Sequence, residues 1–318
     1  MSAKAGILYT IGAYCYRGGE NLTMATATEP RAVSVVILKG GVGKSTTSMN
    51  LARQLAERGE TLFADLDPNG HATNGLGFED AYHGDVNLGD VILEGTATPH
   101  DLIQSTEHGF DLLPSSNTLE DVEKDLAGAM QGSARVKSKI VDPLLGEQYE
   151  YVVFDCPAYP GMLNNNALVA TGNVVIPIEP GSSAIGGYKR TMERLIEPAR
   201  EYIDVDVLAV VPNKLSDRID QQTEDRELLE NLNTASYEVN PGQPLKEAVP
   251  SFARITATEF ARVDAGEVSA PKPGIRHRSS LSRSLQENKP LQEYDPDSDQ
   301  IEHYEELATI VANGGIDR

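Results

Sequence analysis

The chain has 318 residues, 40% of them hydrophobic and 24% charged, a balance that excludes a collagenous, coiled-coil or wholly disordered protein. No apolar run approaches the length of a membrane-spanning helix, and two cysteines, Cys15 and Cys156, cannot build a disulfide framework or a four-thiolate metal site. Asp and Glu total 48 against 27 Lys and Arg, a net charge of −21. Such a charge opposes binding to nucleic acid or anionic lipid except through a local basic patch, and a salt-rich cytosol, which screens the self-repulsion, is its simplest explanation.

Residues 1–30 read as a flexible N-terminal tail. Its mildly apolar stretch, 7–16, is short for a signal peptide, and Met24 offers an alternative start just ahead of the first strand. The run AVSVVIL at 32–38 is apolar and β-branched, as a buried parallel strand requires. A glycine-rich turn follows. Residues 44–57 then read as a helix with Ser48, Leu51, Ala52 and Leu55 on one stripe and Gly59 beyond its end. Further strands are predicted at 61–65, 110–113, 151–155, 174–178 and 207–211, and helices at 117–126, 184–202 and 298–311. The alternation predicts one α/β domain over 31–313, with a mostly parallel sheet and helices on both faces. From about 219 to 273 the pattern degrades into an acidic insertion with turn signals at Asn240-Pro241-Gly242 and Pro271-Lys272-Pro273. A basic stretch from Lys272 to Lys289 precedes the last helix.

The segment Lys39-Gly40-Gly41-Val42-Gly43-Lys44-Ser45-Thr46 lies between a buried strand and a helix, where a phosphate loop lies. Glycines let successive backbone N–H groups curl around phosphate oxygens, and the helix N-terminus adds positive potential. Lys44 can bridge the terminal phosphates, the Ser45 hydroxyl can bind Mg²⁺, and Thr46 is placed to reach the α-phosphate. The expected fold is therefore a P-loop NTPase with Gly40, Gly41, Val42 and Gly43 cradling the nucleotide. Leu38 stands where the general pattern has its first glycine, and Lys39 follows it. Loop geometry does not call for a lysine there, which points to charge neutralisation beside the phosphates. Asp155 closes a strand and can hold metal-bound water; Asp65 closes another and can support Mg²⁺ or Lys44. Asp67 starts a loop and is placed to orient an attacking water.

This loop resembles the deviant phosphate loop of the ParA/MinD ATPases. The block Asp65-Leu66-Asp67-Pro68-Asn69-Gly70-His71-Ala72-Thr73-Asn74-Gly75-Leu76-Gly77 resembles the ParA/Soj switch I pattern D-x-D-P-Q-G-N-A-T-x-G-L-G, with Asn69 and His71 as departures. Asp155-Cys156-Pro157-Ala158-Tyr159-Pro160-Gly161 resembles Walker B with switch II, with Ala158 in place of a second proline. Lys289-Pro290-Leu291 and Tyr294-Asp295-Pro296 continue the similarity, which spans about 32–312 apart from the acidic insertion.

The resemblance implies ATP and Mg²⁺ as cofactors and Lys39, Lys44 and Asp67 as catalytic residues. It implies that Lys39 reaches across a nucleotide-sandwich homodimer to the partner's phosphates, as an arginine finger does, and that Asn213 contacts the adenine. It further implies non-specific DNA binding, here through Arg218, Arg276, Arg278 and Arg283, and a ParB-like activator protein. The expected output is plasmid or chromosome partition in the cytoplasm, with nucleoid association in the ATP-bound state. The alternative is a MinD-like or other family member that positions a non-DNA cargo or acts at a membrane surface. Membrane docking calls for a basic amphipathic C-terminal helix. Residues 301–318 instead carry Glu302, Glu305 and Glu306, with Arg318 as their one Lys or Arg, so no membrane partner is expected.

Overall fold

Strand β1 (Arg31–Val35) enters the middle of a seven-stranded sheet in a computed structural model that describes residues 29–217, 222–234 and 237–316. Most of the expected tail, including Met24 and Cys15, lies outside the described residues, as does Arg218. In chain order β1 is followed by helix α1 (Lys44–Leu55), β2 (Thr61–Asp65), α2 (His71–Gly75), β3 (Gln104–Ser105), β4 (Asp111–Leu113), α3 (Leu119–Leu126) and β5 (Tyr151–Asp155). Next come α4 (Met162–Thr171), β6 (Asn173–Ile178), α5 (Ala184–Thr191), β7 (Asp206–Pro212), α6 (Thr223–Thr234), β8 (Glu238–Asn240), β9 (Gln243–Pro244), α7 (Ala257–Asp264), α8 (Ser279–Gln286) and α9 (Ile301–Asn313). The main sheet has the order β3-β4-β2-β5-β1-β6-β7, and only β3 runs antiparallel to its neighbour.

Alternate strand residues feed two cores. On one face Val33, Phe63, Val153 and Leu208 pack with Met49, Leu51 and Leu55 of α1 and Leu307 and Val311 of α9. On the other, Leu62, Phe154, Ile176 and Val210 pack with Leu163 and Leu168 of α4 and Tyr188 of α5. Both faces being covered explains why the strands read as unbroken apolar runs. This is the mostly parallel, doubly covered α/β architecture expected from the alternation.

Register sets the site. The β2–β5 ladder pairs Asp65 with Asp155, and β1–β5 pairs Val35 with Asp155. Two carboxylates therefore end adjacent strands beside the loop that leaves β1, at the carboxyl edge where open α/β sheets bind ligands.

Several boundaries differ from the sequence reading. The ladder of β1 stops at Val35, while Val36, Ile37 and Leu38 stay buried as the chain turns into the loop, because an apolar run encodes burial and not strand pairing. The last helix begins at Ile301. The helical run after Ser183 passes through a wide turn at Met192–Ile196 just before Pro198, whose missing N–H cannot complete the regular ladder. Helix α4 carries three asparagines that mask its helical pattern. Two are buried for bonding: Asn166 holds the Gly132 carbonyl and the Val136 N–H, and Asn164 holds the Pro157 and Tyr159 carbonyls. Within the acidic stretch, Leu228, Leu229, Leu232, Val239 and Leu245 join the same core as α4 and α5.

Candidate nucleotide site

Gly41 and Gly43 hold left-handed backbone (φ 80° and 87°), a region glycine enters without cost, and Gly43 caps the start of α1. A side chain at Gly43 would collide with the Asn213 amide, 2.5 Å from the Cβ position. The loop thus wraps a cleft of about 490 Å³ whose wall includes Gly40, Gly41, Gly43, Lys44, Ser45 and Thr46, with Asp67 and Ala158 also on its lining. Leu285 and Gln286 of α8 complete it. The loop, Lys44, Ser45, Thr46 and Asp67, picked out separately in the sequence, meet here around one space.

Lys44 and Asp155 are both buried. Among the described residues, neither Asp155 carboxylate oxygen has a partner in full hydrogen-bond geometry. Burial pushes its pKa above the usual carboxylate range, and the Lys44 ammonium and the Ser45 and Ser48 hydroxyls pull it part of the way back. A buried, acceptor-only carboxylate beside a serine at the start of a phosphate-binding helix is a donor set suited to a hard divalent cation and its waters.

Asp65 does something else. Its Oδ2 accepts from the Thr73 N–H (2.9 Å) and hydroxyl (2.8 Å), and Oδ1 accepts from the Asp67 N–H (3.1 Å). Burial and the neighbouring Asp155 both raise its pKa, against these hydrogen bonds. These bonds make Asp65 a clamp that shapes the Asp67 loop. Ser115 adds to the clamp, donating its hydroxyl to the Asp67 carbonyl (2.7 Å) while its N–H bonds the Thr73 hydroxyl (2.9 Å). Asn69, a departure from the resembling pattern, donates its N–H and its amide to Asp67 Oδ1 (3.0 and 2.8 Å). Asp67 Oδ2 accepts no hydrogen bond among the described residues and remains available at the cleft.

Asn213, expected at the adenine, donates its amide to the Val42 carbonyl (2.8 Å), and its Oδ1 accepts from the Lys214 N–H (2.9 Å), so it braces the phosphate loop. It also lines a smaller pocket of about 100 Å³ that shares Gly43 and Thr46 with the main cleft and includes Lys214, Arg276, His277 and Arg278.

Lys39 has swung onto the acid at the end of β6: its Nζ lies 3.1 Å from Glu179 Oε1. Two further residues, Glu123 and Asn164, escaped the sequence reading at switch II. Glu123 of α3 accepts from the Tyr159 hydroxyl (2.8 Å) and the Leu163 N–H (3.1 Å), and Asn164 pins the loop carbonyls. These bonds hold the segment in which Ala158 replaces the expected proline.

The basic stretch is rearranged by its acids. Arg276 is only 4% exposed and pairs with Asp299 and Asp217. Arg278 forks onto both oxygens of Asp217 (2.7 Å each) and reaches Asp299 at 3.1 Å. Two arginines thus face two aspartates and present no surplus charge, which corrects their expected role as free phosphate contacts. Arg283 and Lys289 are exposed and appear in no ion pair among the described residues. The Arg278 hydrogen bonds hold Asp217 below its ordinary pKa. Asp299 is also held low: burial works the other way, but Arg278, Gln300 and Arg276 outweigh it. Carboxylates depressed in the fold stabilise it above their unfolded pKa of about 3.9 and lose that contribution as pH falls through the folded value. Asp217→Asn with Asp299→Asn is therefore expected to lower the urea midpoint at pH 7 and to flatten its decline below about pH 4. An acid limb identical to that of the unaltered chain would remove this cluster from the pH response.

Sheet order, strand-end carboxylates and a glycine cradle opening helix α1 define the class: a P-loop NTPase. The family model described as "AAA domain" matches residues 30–205, more than half of the chain. The chain is 28% identical over 288 residues to the sporulation initiation inhibitor protein Soj of Bacillus subtilis (strain 168), covering 90% of this chain and 99% of that one. It is 36% identical over 171 residues to the chromosome-partitioning ATPase Soj of Thermus thermophilus, covering 52% of this chain and 62% of that one. Among solved structures, a putative plasmid partition protein of Borrelia burgdorferi B31 bound to AMPPNP shares the fold, with a TM-score of 0.67 at 20% identity over 89% of this chain and 98% of that one. The chain belongs to the ParA/Soj family of partitioning ATPases.

Proposed function

We propose that this chain hydrolyses ATP with Mg²⁺, forms an ATP-dependent sandwich dimer that holds DNA non-specifically, and drives partition of a DNA cargo with a ParB-like activator. The observation that carries this reading is the grouping, around one cleft, of the glycine cradle, Lys44, Ser45 and Asp67, with a second lysine, Lys39, directly before the cradle in sequence. The loop N–H groups and Lys44 bind and orient the phosphates. Asp67, its backbone clamped by Asp65 and Ser115, offers Oδ2 to orient and deprotonate the attacking water. Ser45 and Asp155 would hold Mg²⁺, which when bound neutralises phosphate charge. Lys39 serves the partner's phosphates, so the nucleotide binds the two protomers together and its hydrolysis weakens them. The protein acts in the cytoplasm and on the nucleoid when dimeric.

DNA contact falls to the free cations Arg283 and Lys289 on and beside α8, where Leu285 of the helix meets switch I at Gly75 and Asn288, just past its end, meets it at Gly77. Arg283→Glu with Lys289→Glu is expected to abolish DNA retention while sparing the dimer. Neutralising the same two positions should reduce the salt slope of log affinity by about 2, close to one per lost phosphate contact. The neutralisation of Arg276 and Arg278 by Asp217 and Asp299 favours one second reading, a family member positioning a non-DNA cargo. Sedimentation with ATP, ADP and added DNA at several salt concentrations separates the two. An ATP-dependent dimer that retains DNA supports partition of DNA; a dimer indifferent to DNA at every salt supports the second reading; a monomer in all conditions refutes both.

A further inference from the structure

Glu179 stands directly after β6 and binds one lysine with each carboxylate oxygen. Oε1 lies 3.1 Å from Lys39 Nζ, and Oε2 lies 3.5 Å from Lys214 Nζ. Lys214 also donates to the Gly41 carbonyl, so it is anchored on the phosphate loop itself. Its backbone is left-handed (φ 58°), a conformation a non-glycine residue holds only where its surroundings enforce it. The Lys39 stem lies against Gly187 of α5, where a Cβ would stand 3.4 Å from Lys39 Cδ. Lys39 is thus folded back along its own protomer, with its ammonium on Glu179.

Resting on the proposed role of Lys39 in the sandwich dimer, we infer that Glu179 is a positioning residue that parks Lys39 in cis and sets how much ATP the chain needs to dimerise. The Lys39 and Glu179 side chains are 18% and 21% exposed, so the pair is partly solvated and weak enough to exchange. A triphosphate offers the ammonium more negative charge than one carboxylate does, and the exchange runs toward the nucleotide. The carboxylate Lys39 leaves behind stays compensated, because Lys214 keeps its hold on the second oxygen. Without Lys214, departure of Lys39 would strand a half-buried anion next to the incoming phosphates. Each dimer must open two such pairs, so the cost enters the dimerisation constant twice.

The test is Glu179→Gln, which keeps size and shape, compared with the unaltered chain and Glu179→Asp. Dimerisation is followed by sedimentation as a slowly hydrolysed ATP analogue is titrated, and monomer affinity is read separately with a fluorescent ATP analogue. Glu179→Gln is expected to raise the dimerisation constant by about tenfold, the square of the roughly threefold worth of one such pair, with monomer nucleotide affinity unchanged. Glu179→Asp should restore much of the original nucleotide requirement. The gap should close as salt approaches 1 M, where charges are screened within about 3 Å. A dimerisation curve for Glu179→Gln that overlays the original at low salt, or a gap insensitive to salt, overturns the inference while leaving the dimer reading intact. If the unaltered chain itself never dimerises with nucleotide, the proposed function falls and this inference with it.

Discussion

Replacing Lys44 by alanine is expected to abolish ATP binding. Lys44 is 7% exposed, opens α1 directly after the left-handed Gly43, and lines the cleft beside Ser45. It is the cation that the Asp155 carboxylate feels most strongly. Two charge-assisted hydrogen bonds to phosphate oxygens are together worth about 3 kcal/mol or more, so affinity should fall by about 100-fold or more. The fold should survive, because the alanine helix start retains its backbone ladder and Asp155, freed of its counter-charge, can take a proton. Titration with a fluorescent ATP analogue, beside a thermal melt, measures both. Affinity within a few-fold of the unaltered chain would show that phosphates do not bind at this loop.

Asp67→Ala is expected to leave ATP binding intact and to reduce turnover by about 100-fold or more, the range set by losing a positioned general base. The loop should keep its main clamps, since the Asp65 carboxylate, the Ser115 hydroxyl and the Tyr82 hydroxyl on the Pro68 carbonyl remain when the Asp67 side chain and its two bonds from Asn69 are removed. Removal of the carboxylate therefore takes away chemistry more than architecture. With hydrolysis blocked, the ATP-bound dimer should accumulate and persist in sedimentation. Phosphate release at an unaltered rate would remove Asp67 from the reaction. A loss of nucleotide affinity as large as that of Lys44→Ala would reassign it to binding.

Much of the site was legible because phosphate binding is read by neighbours in sequence. A cradle of consecutive N–H groups needs glycines in a row, a lysine and a hydroxyl at the next positions, and a strand before and helix after. All of these lie within residues 39–46 and can be recognised together. The same holds for the strands, where burial on both faces leaves unbroken apolar runs. Helix α4 was harder to see, because its asparagines look like turn formers. The bonds that Asn164 and Asn166 make to the switch II and Gly132 carbonyls account for those two inside a helix.

Residue types at each position, and the chemistry each can perform, were determined by the sequence alone: a nucleotide cradle, two lysines about it, and acids at strand ends. What the tertiary structure decided is which charges are spoken for. A stretch rich in arginine looked like a phosphate-binding patch until Asp217 and Asp299, from distant segments, were found seated on Arg276 and Arg278. Asp65 was read as an acid supporting Mg²⁺ or Lys44, and the fold adds Thr73 on one of its oxygens and the Asp67 N–H on the other. Lys39 looked free until Glu179 was found beneath it. The physical reason is common to all three: a charge acts through its surroundings within a few ångströms, and those surroundings are assembled by folding from residues that the linear chain keeps far apart.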